Sequence, residues 1–243
     1  MEMISRSSKV PLYYQLYEIL LAKVKEGVWQ PEELLPSEAE LVEKYDLSRA
    51  TVRQAFDMLV NQGYVYRRRG QGTFVARPTI EQNLSRIVSF WEDMQQRGLE
   101  PGTRVLEREL IPASEDLTQA LNVSAGEELA SIVRLRLADG EPMSVEYSYL
   151  VHRYCPGILE QDYANSSLRQ MLESEFNIRL VYARQKIRAV PASEDLAELL
   201  DIEPNAPLLH IERVSYNEHD IPIEYLVINL RGDRYTFYTE LRD

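Results

Sequence analysis

The sequence contains one segment twice, and this internal repeat restricts the folds open to the second half of the chain. PASEDLTQALNVSAGEELASIVRLR begins at Pro112, and PASEDLAELLDIEPNAPLLHIERVS begins at Pro191, with PASEDL identical in both. Each copy has the pattern of a short helix, a turn and a strand, and a second turn and strand follow. Strand pairs with flanking helices are typical of α+β domains. The repeat therefore predicts an α+β domain around a mainly antiparallel sheet with pseudo-twofold symmetry.

An amphipathic helix is predicted after Ser48, which stands at the N-cap position. Its apolar residues recur with helical spacing: Val52, Ala55, Phe56, Leu59 and Val60. The other face carries three long polar side chains: Arg49, Arg53 and Gln54. Side chains of this length reach phosphates and base edges in nucleic acids. One face of the helix is therefore predicted to pack on a core, and the other to bind nucleic acid.

A basic hairpin follows this helix, which ends at Gly63. Residues 64–68 and 73–75 have the pattern of short strands. The turn between them combines backbone freedom with positive charge: Arg69, Gly70, Gln71 and Gly72. A nucleotide-binding glycine loop would lead from a strand into a helix, whereas this turn joins two strands. The pattern favours a recognition helix followed by a basic wing.

Two helices are predicted before the recognition helix. Pro11 opens the first, which runs to about Lys25. Ser37 opens the second with a capping box, since Glu40 lies three residues further on. A short turn at Asp46 then leads into the recognition helix. Two short helices joined in this way form a helix-turn-helix, in which the second helix enters the major groove.

Composition excludes several classes of protein. The net charge is −12, but residues 1–78 hold 11 Lys and Arg against 10 Asp and Glu, a net of +1, which leaves −13 for residues 79–243. The net negative charge thus lies outside the predicted DNA-binding end. No apolar run approaches the roughly 20 residues that a membrane helix needs, and the single Cys155 is consistent with a cytoplasmic protein. The three histidines show no ligand spacing, so neither a metal nor a cofactor is expected.

The second half of the chain carries two features that could serve a ligand. Arg134 and Arg136 lie two apart on a predicted strand and so share a face, where they either hold an anion or form ordinary ion pairs. The second copy of the repeat keeps Arg213 but has Ser215 in place of the second arginine. Ser89 is predicted to cap a helix, either as an anion site or as a plain helix start.

An enzyme is the rival hypothesis for this half of the chain. Glu146 and Glu224 lie on the strands that follow the two predicted turns. Two carboxylates in corresponding positions could act as the catalytic pair of a glycosidase.

The first half resembles the winged-helix domain of bacterial GntR-type transcription regulators over LPSEAELVEKYDLSRATVRQAFDMLVNQGYVYRRRGQGTFV. Ala39 departs from this pattern, because many members have arginine there. The resemblance implies that residues 1–76 are a winged helix-turn-helix domain and that residues 77–84 are a linker. It also implies a set of operator contacts: Ser37, Arg49, Thr51, Arg53, Gln54, Arg69, Gly70, Gln71, Gly72 and Thr73.

The second half is similar to the UTRA domain of the HutC branch of these regulators, which shares its fold with chorismate lyase. Segments that carry the similarity are SFWEDM, RLRLADGEPMSVEYSYL, SSLRQMLE and IPIEYLVINLRGDRYTF. Residues 85–243 would then be an effector-binding and dimerisation domain. The resemblance implies effector contacts at Ser89, Phe90, Trp91, Arg134, Arg136, Glu146, Ser167 and Glu224, and Arg169 stands where members often have tyrosine. Leu230 and Trp91 depart from the pattern as well.

Together these features predict a cytoplasmic transcription regulator. It is expected to be a repressor that binds palindromic operator DNA as a homodimer. Its operator binding would be modulated by a small anionic metabolite, with a sugar phosphate favoured by the resemblance. The alternative is a chorismate-lyase-like or carbohydrate-active enzyme that uses Glu146 and Glu224.

Overall fold

The computed structural model describes residues 4–68, 70–77, 79–163 and 167–241. The chain divides into two compact units, Met1–Pro78 and Thr79–Asp243.

The first unit consists of three helices and a two-stranded hairpin. The elements are α1 (Leu12–Lys25), α2 (Glu38–Tyr45), α3 (Arg49–Asn61), β1 (Val65–Arg68) and β2 (Gly72–Val75). Ser37 caps α2 through a capping box with Glu40, and Ser48 caps α3 by accepting from the amide of Thr51. Asp46, between the two helices, adopts a left-handed conformation that makes the turn tight. All three predicted helices and the predicted hairpin are present.

The core of the first unit lies between α1, α2 and α3. Its largest fully buried side chains come from all three helices: Leu16, Leu20, Leu41, Phe56 and Leu59. Because the buried residues of α3 occupy a single face, its polar face is left to solvent.

The second unit contains a six-stranded sheet with helices on both faces. Its elements are β3 (Ile80–Asn83), α4 (Phe90–Gln96), β4 (Pro101–Pro112), α5 (Glu115–Leu121), β5 (Glu128–Ala138), β6 (Glu141–Val151), two 3₁₀ turns (His152–Tyr154, Ile158–Glu160), α6 (Leu168–Phe176), β7 (Leu180–Pro191), α7 (Glu194–Leu200), β8 (Pro207–Asn217), β9 (Pro222–Arg231) and β10 (Tyr235–Tyr238).

The sheet has the pseudo-twofold symmetry that the repeat predicted. Its strand order is β4-β5-β6-β9-β8-β7, and every neighbouring pair is antiparallel. Pro101 pairs with Ala138 in the first copy, and the equivalent residues Leu180 and Asn217 pair in the second. Helices α5 and α7 pack on one face, while α4 and α6 cover the other. Both the α+β fold class and the antiparallel sheet are confirmed.

The linker predicted over residues 77–84 differs from the structure. Residues 80–83 form β3, which pairs in parallel with β10 and brings Ile80 opposite Tyr235. Both of these side chains are buried. The pairing was not predictable because its two strands lie far apart in the sequence and each is only four residues long.

Candidate functional site

The polar face of α3 is the exposed surface of the first unit on which the predicted nucleic-acid contacts lie. Arg49, Arg53 and Gln54 are exposed, whereas Val52 and Phe56 on the other face are buried. The Arg53 side chain is 65% exposed and lies 3.5 Å from the Glu38 carboxylate, which is a loose surface ion pair. The guanidinium is therefore available to a bound polyanion.

Two predicted contacts, Ser37 and Thr51, have partners within their own caps. The Ser37 hydroxyl donates to Glu40 Oε2 at 2.8 Å and accepts from the Glu40 amide at 3.3 Å. The Thr51 hydroxyl lies 2.8 Å from Ser48 Oγ. Both residues sit at helix starts, where orphan backbone amides attract negatively charged groups such as phosphates.

The wing places Gly70 and Gln71 in solvent, and Arg69 lies outside the described residues. Gly72 has φ +125°, a conformation that other residues rarely adopt, and Thr73 follows it half-buried in β2. Arg67, which was not among the predicted contacts, is exposed on β1 beside the wing turn and pairs with Asp57 of α3 at 2.8 Å. The signal for it was the run of three arginines before Gly70.

A cavity of about 100 Å³ lies on the face of the second unit's sheet that α4 and α6 cover. Most of the residues predicted to bind a ligand line it: Ser89, Phe90, Arg134, Arg136, Glu146, Ser167, Arg169 and Glu224. Trp91 does not line it, because successive residues of a helix point in different directions and Phe90 takes the inward position. Leu230, where members often have tyrosine, is on the wall.

Several polar residues of the cavity wall were not among the predicted ligand contacts: Gln82, Asp93, Ser144, Arg213, Ser215 and Tyr235. The repeat carried a signal for two of them, because Arg213 and Ser215 are the counterparts of Arg134 and Arg136. Gln82 and Tyr235 belong to β3 and β10, whose pairing is non-local. Asp93 follows Phe90 by one turn of α4, and Ser144 pairs with Arg136 across the β5–β6 hairpin.

Cross-strand pairing arranges the floor of the cavity in rows. Residues that pair across β5, β6, β9 and β8 form four rows: Arg136, Ser144, Leu230; Arg134, Glu146, Ile228, Ile211; Ser148, Leu226, Arg213; and Leu150, Glu224, Ser215. Paired residues point to the same face of a sheet. The polar groups therefore run diagonally across the floor, from the β5–β6 end to the β8–β9 end.

Arg134 and Glu146 form a buried ion pair at the centre of this floor. Arg134 Nη2 lies 2.9 Å from Glu146 Oε2, and it also donates to Ser148 Oγ at 3.0 Å. The two charged side chains are 4% and 11% exposed. Because the pair is neutral as a whole, Arg134 offers less net charge to a ligand than the sequence suggested.

Arg136 has different surroundings. Its guanidinium stacks on Phe90, with 4.7 Å between its central carbon and the ring centroid, and Nη1 donates to Thr103 Oγ1 at 2.8 Å. Burial lowers the pKa of Arg136 to about 10, and the field of Glu146 opposes this shift. The residue stays cationic at neutral pH in a site that disfavours its charge.

Arg169 and Ser167, at the start of α6, have structural partners. Arg169 donates to the backbone oxygens of Ile87 at 3.1 Å and Leu180 at 2.8 Å. The Ser167 hydroxyl accepts from the Gln170 amide within a capping box. Arg169 thus ties the segment before α4 to the start of β7, in addition to lining the cavity.

Glu224 occupies the other end of the floor. Burial raises the pKa of the Glu224 carboxyl, and the nearby cations Arg134 and Arg213 lower it in part. Ser215 Oγ lies 3.4 Å from Glu224 Oε2. Arg213 donates to Gln185 Oε1 through Nε at 3.1 Å and Nη2 at 2.9 Å. A buried carboxyl group with a shifted pKa on the wall of a cavity is typical of a binding site.

We expect Glu224→Gln to stabilise the chain at neutral pH. A carboxyl whose pKa is raised by folding stabilises the folded state below its unfolded pKa, and this stability is lost as the pH rises through the folded pKa. The variant, which is neutral at every pH, should therefore have a larger free energy of unfolding than the parent at pH 7. Denaturant unfolding from about pH 4 to about pH 8 checks this, because the gain should shrink toward the acid end.

Glu203→Gln is the matched control, since Glu203 is exposed. Its effect should be small and nearly independent of pH. A Glu224→Gln variant that is less stable than the parent chain at pH 7 would contradict the raised pKa of the Glu224 carboxyl.

The sequence of the chain matches two known family models. Residues 12–75 match the model of the bacterial regulatory proteins of the gntR family, and residues 96–236 match the UTRA domain. The chain belongs to the gntR family of regulators that carry a UTRA domain. The resemblance seen in the sequence is therefore confirmed over both halves of the regulator.

Individual relatives cover nearly the whole regulator. It is 38% identical over 234 residues to the HTH-type transcriptional repressor NagR of Bacillus subtilis (strain 168), with 96% of each chain covered. The HTH-type transcriptional regulator TreR of the same organism is 30% identical over 230 residues, covering 94% of this chain and 96% of TreR. The crystal structure of PhnF from Mycobacterium smegmatis matches with a TM-score of 0.72 and 29% identity, over 93% of this chain and 98% of PhnF.

Within the described ranges, no helix of the regulator is long and apolar enough to cross a membrane. The same ranges hold no cluster of three or more His, Cys, Asp or Glu side chains that could bind a metal ion.

Proposed function

We propose that the regulator is a transcriptional repressor that binds operator DNA through α3 and the wing, and that a small anionic metabolite bound in the cavity changes this affinity. The observation that carries the proposal is that a helix-turn-helix with an exposed arginine face and an arginine-lined cavity occur in one chain. Several curated relatives, NagR among them, are named as repressors. Such a protein acts on the chromosome, so we place it in the cytoplasm.

The DNA half of the proposal follows from the geometry of the first unit. A recognition helix reads base edges with the residues near its N-terminus, and these are Arg49, Arg53 and Gln54. The wing adds the cations Arg67 and Arg68 beside it. One such unit covers only a half-site, so a palindromic operator calls for a homodimer.

The effector half follows from the composition of the cavity. Four arginines and three carboxylates line it: Arg134, Arg136, Arg169, Arg213, Asp93, Glu146 and Glu224. Arginine binds phosphate and carboxylate groups with several N–H donors, and buried carboxylates accept from hydroxyl or amino groups. A ligand with an anionic end and several hydroxyl groups satisfies both, which makes a sugar phosphate the best candidate.

Release of DNA would follow from differential affinity. An effector that prefers dimer geometries unsuited to the operator spacing weakens DNA binding, and couplings of about 1 to 3 kcal/mol change the affinity roughly 5- to 150-fold. The covalent connection between the units, next to β3, is where such a change would be transmitted.

The enzyme alternative is less well supported. Arg134 holds Glu146 in an ion pair, whereas the general acid of a glycosidase must carry a proton. Burial raises the pKa of the Cys155 thiol to about 12, so this cysteine is not a nucleophile at neutral pH. The relatives compared above are regulators.

The test is a gel shift with DNA upstream of the regulator's own gene. We expect salt-sensitive binding, with two protomers for each palindromic site, and a change in affinity when one member of a panel of sugar phosphates is added. Inorganic phosphate at the same ionic strength is the control for the panel. Failure of the chain to bind this DNA would contradict the repressor, and turnover of a glycoside or phosphate ester that disappears in Glu146→Gln would favour the enzyme.

A further inference from the structure

Three buried polar atoms at one end of the cavity have no hydrogen-bond partner among the described residues. They are Nε of Arg136, Oγ of Ser144 and the phenol oxygen of Tyr235. The three residues line the cavity and are 2%, 0% and 5% exposed. Native proteins rarely leave buried polar groups unpaired, because each costs free energy. Their concentration in one place indicates a group that binds there.

The three residues are close together in the fold. Arg136 and Ser144 pair across β5 and β6, so their side chains are direct neighbours on the cavity floor. Tyr235 and Arg136 lie within electrostatic range of each other. Arg134 Nε, in the next row of the floor, is a fourth unpartnered donor.

The two buried arginines of the cavity, Arg134 and Arg136, differ in their ion pairing. Arg134 is paired with Glu146, and Asp93 is paired with Arg97 at 2.8 Å. Within the described part of the chain, Arg136 has no carboxylate at ion-pair distance, although it is buried. An unpaired buried cation is costly, and a bound anion removes that cost.

We propose that Arg136, Ser144 and Tyr235 form a subsite for an oxyanion of the effector, either a phosphate or a carboxylate. The inference rests on the proposed sensor function and adds Ser144 and Tyr235 to its binding residues. Arg136 Nε and the two hydroxyl groups each donate to an anionic oxygen, and Phe90 holds the guanidinium plane in place. The anion is thus bound mainly by Arg136, because Glu146 already neutralises Arg134.

Two single substitutions test the subsite, and each has a matched control in the same strand. Ser144→Ala and Tyr235→Phe remove the unpartnered hydroxyl groups. Ser148→Ala removes an equally buried serine whose hydroxyl accepts from Arg134, and Tyr238→Phe removes an exposed hydroxyl. Thermal unfolding of the full chain is followed without added anion, with inorganic phosphate, and with acetate, all at constant ionic strength.

Without added anion, we expect Ser144→Ala and Tyr235→Phe to unfold at the same or a higher temperature than the parent, because each removes an unsatisfied polar group. Ser148→Ala should unfold at a lower temperature. Phosphate or acetate should raise the midpoint of the parent and of Tyr238→Phe. In the two subsite variants the apparent affinity for that anion should fall about 10-fold or more. The anion that gives the larger shift identifies the group as phosphate or carboxylate.

The proposal is wrong if neither anion stabilises the parent, or if Ser144→Ala and Tyr235→Phe keep the full shift. It is also wrong if both variants are destabilised as Ser148→Ala is, since their hydroxyl groups would then be structural. Should Tyr235→Phe fail to fold, Ser144→Ala alone decides. Operator binding is measured separately, so a chain that binds the anion but not DNA would contradict the repressor function and leave the subsite standing.

Discussion

Arg53→Ala should bind operator DNA roughly 5- to 150-fold more weakly than the parent chain, a loss of about 1 to 3 kcal/mol. Arg53 lies on the exposed face of α3, and its nearest carboxylate, Glu38, is 3.5 Å away. Since exposed ion pairs contribute little to stability, the variant should fold as the parent does. Gel shifts at several salt concentrations, together with thermal unfolding, separate lost contact from lost structure.

The matched control is Arg179→Ala, which removes one exposed arginine from the second unit and so gives the same change in net charge. If both variants lost the same affinity, the effect would be one of overall charge. If Arg53→Ala bound as tightly as the parent, α3 would not be the recognition helix.

Arg134→Met should lower the free energy of unfolding of the second unit by about 3 to 5 kcal/mol, because it leaves Glu146 charged and unpaired inside the sheet cavity. Arg134 also donates to Ser148 Oγ, and this hydrogen bond is lost as well. For a unit of this size the change corresponds to a fall of roughly 6 to 20 °C in the unfolding midpoint. The same variant should also reduce the midpoint shift caused by a bound sugar phosphate, because it removes Arg134 Nε, an unpartnered donor of the cavity.

The double variant Arg134→Met, Glu146→Gln separates the two effects. Replacing both charges of a buried pair by neutral groups is often close to neutral, so stability should be largely restored while effector binding stays below that of the parent. A double variant as unstable as Arg134→Met alone would show that the ion pair is not the cause. A double variant that recovers effector binding would show that the cavity does not need this arginine.

Local contacts explain why the first unit could be predicted closely from the sequence. Ser37 and Ser48 cap helices through amides three residues further on, so the sequence itself contains both partners. The apolar stripe of α3 likewise depends on spacing alone. Ser89 was predictable as a cap for the same reason.

The cavity could be predicted only in part. The repeat and the family resemblance pointed to Arg134, Arg136 and Glu224, which line it. Tyr235 was not found, because it reaches the wall through the pairing of β10 with β3, a contact between the two ends of the second unit. Trp91 was expected on the wall but is turned away from it by the helix that carries Phe90.

The sequence by itself determined the helices, the duplicated strand pattern and the family, since these depend on residue types at short or repeated spacings. Only the tertiary structure decided which charges neutralise one another. Arg134 and Arg136 are the same residue type, two positions apart on β5. On the neighbouring strand β6, however, Arg134 faces Glu146 whereas Arg136 faces Ser144. Cross-strand register sets these partners, and register depends on the packing of the whole sheet.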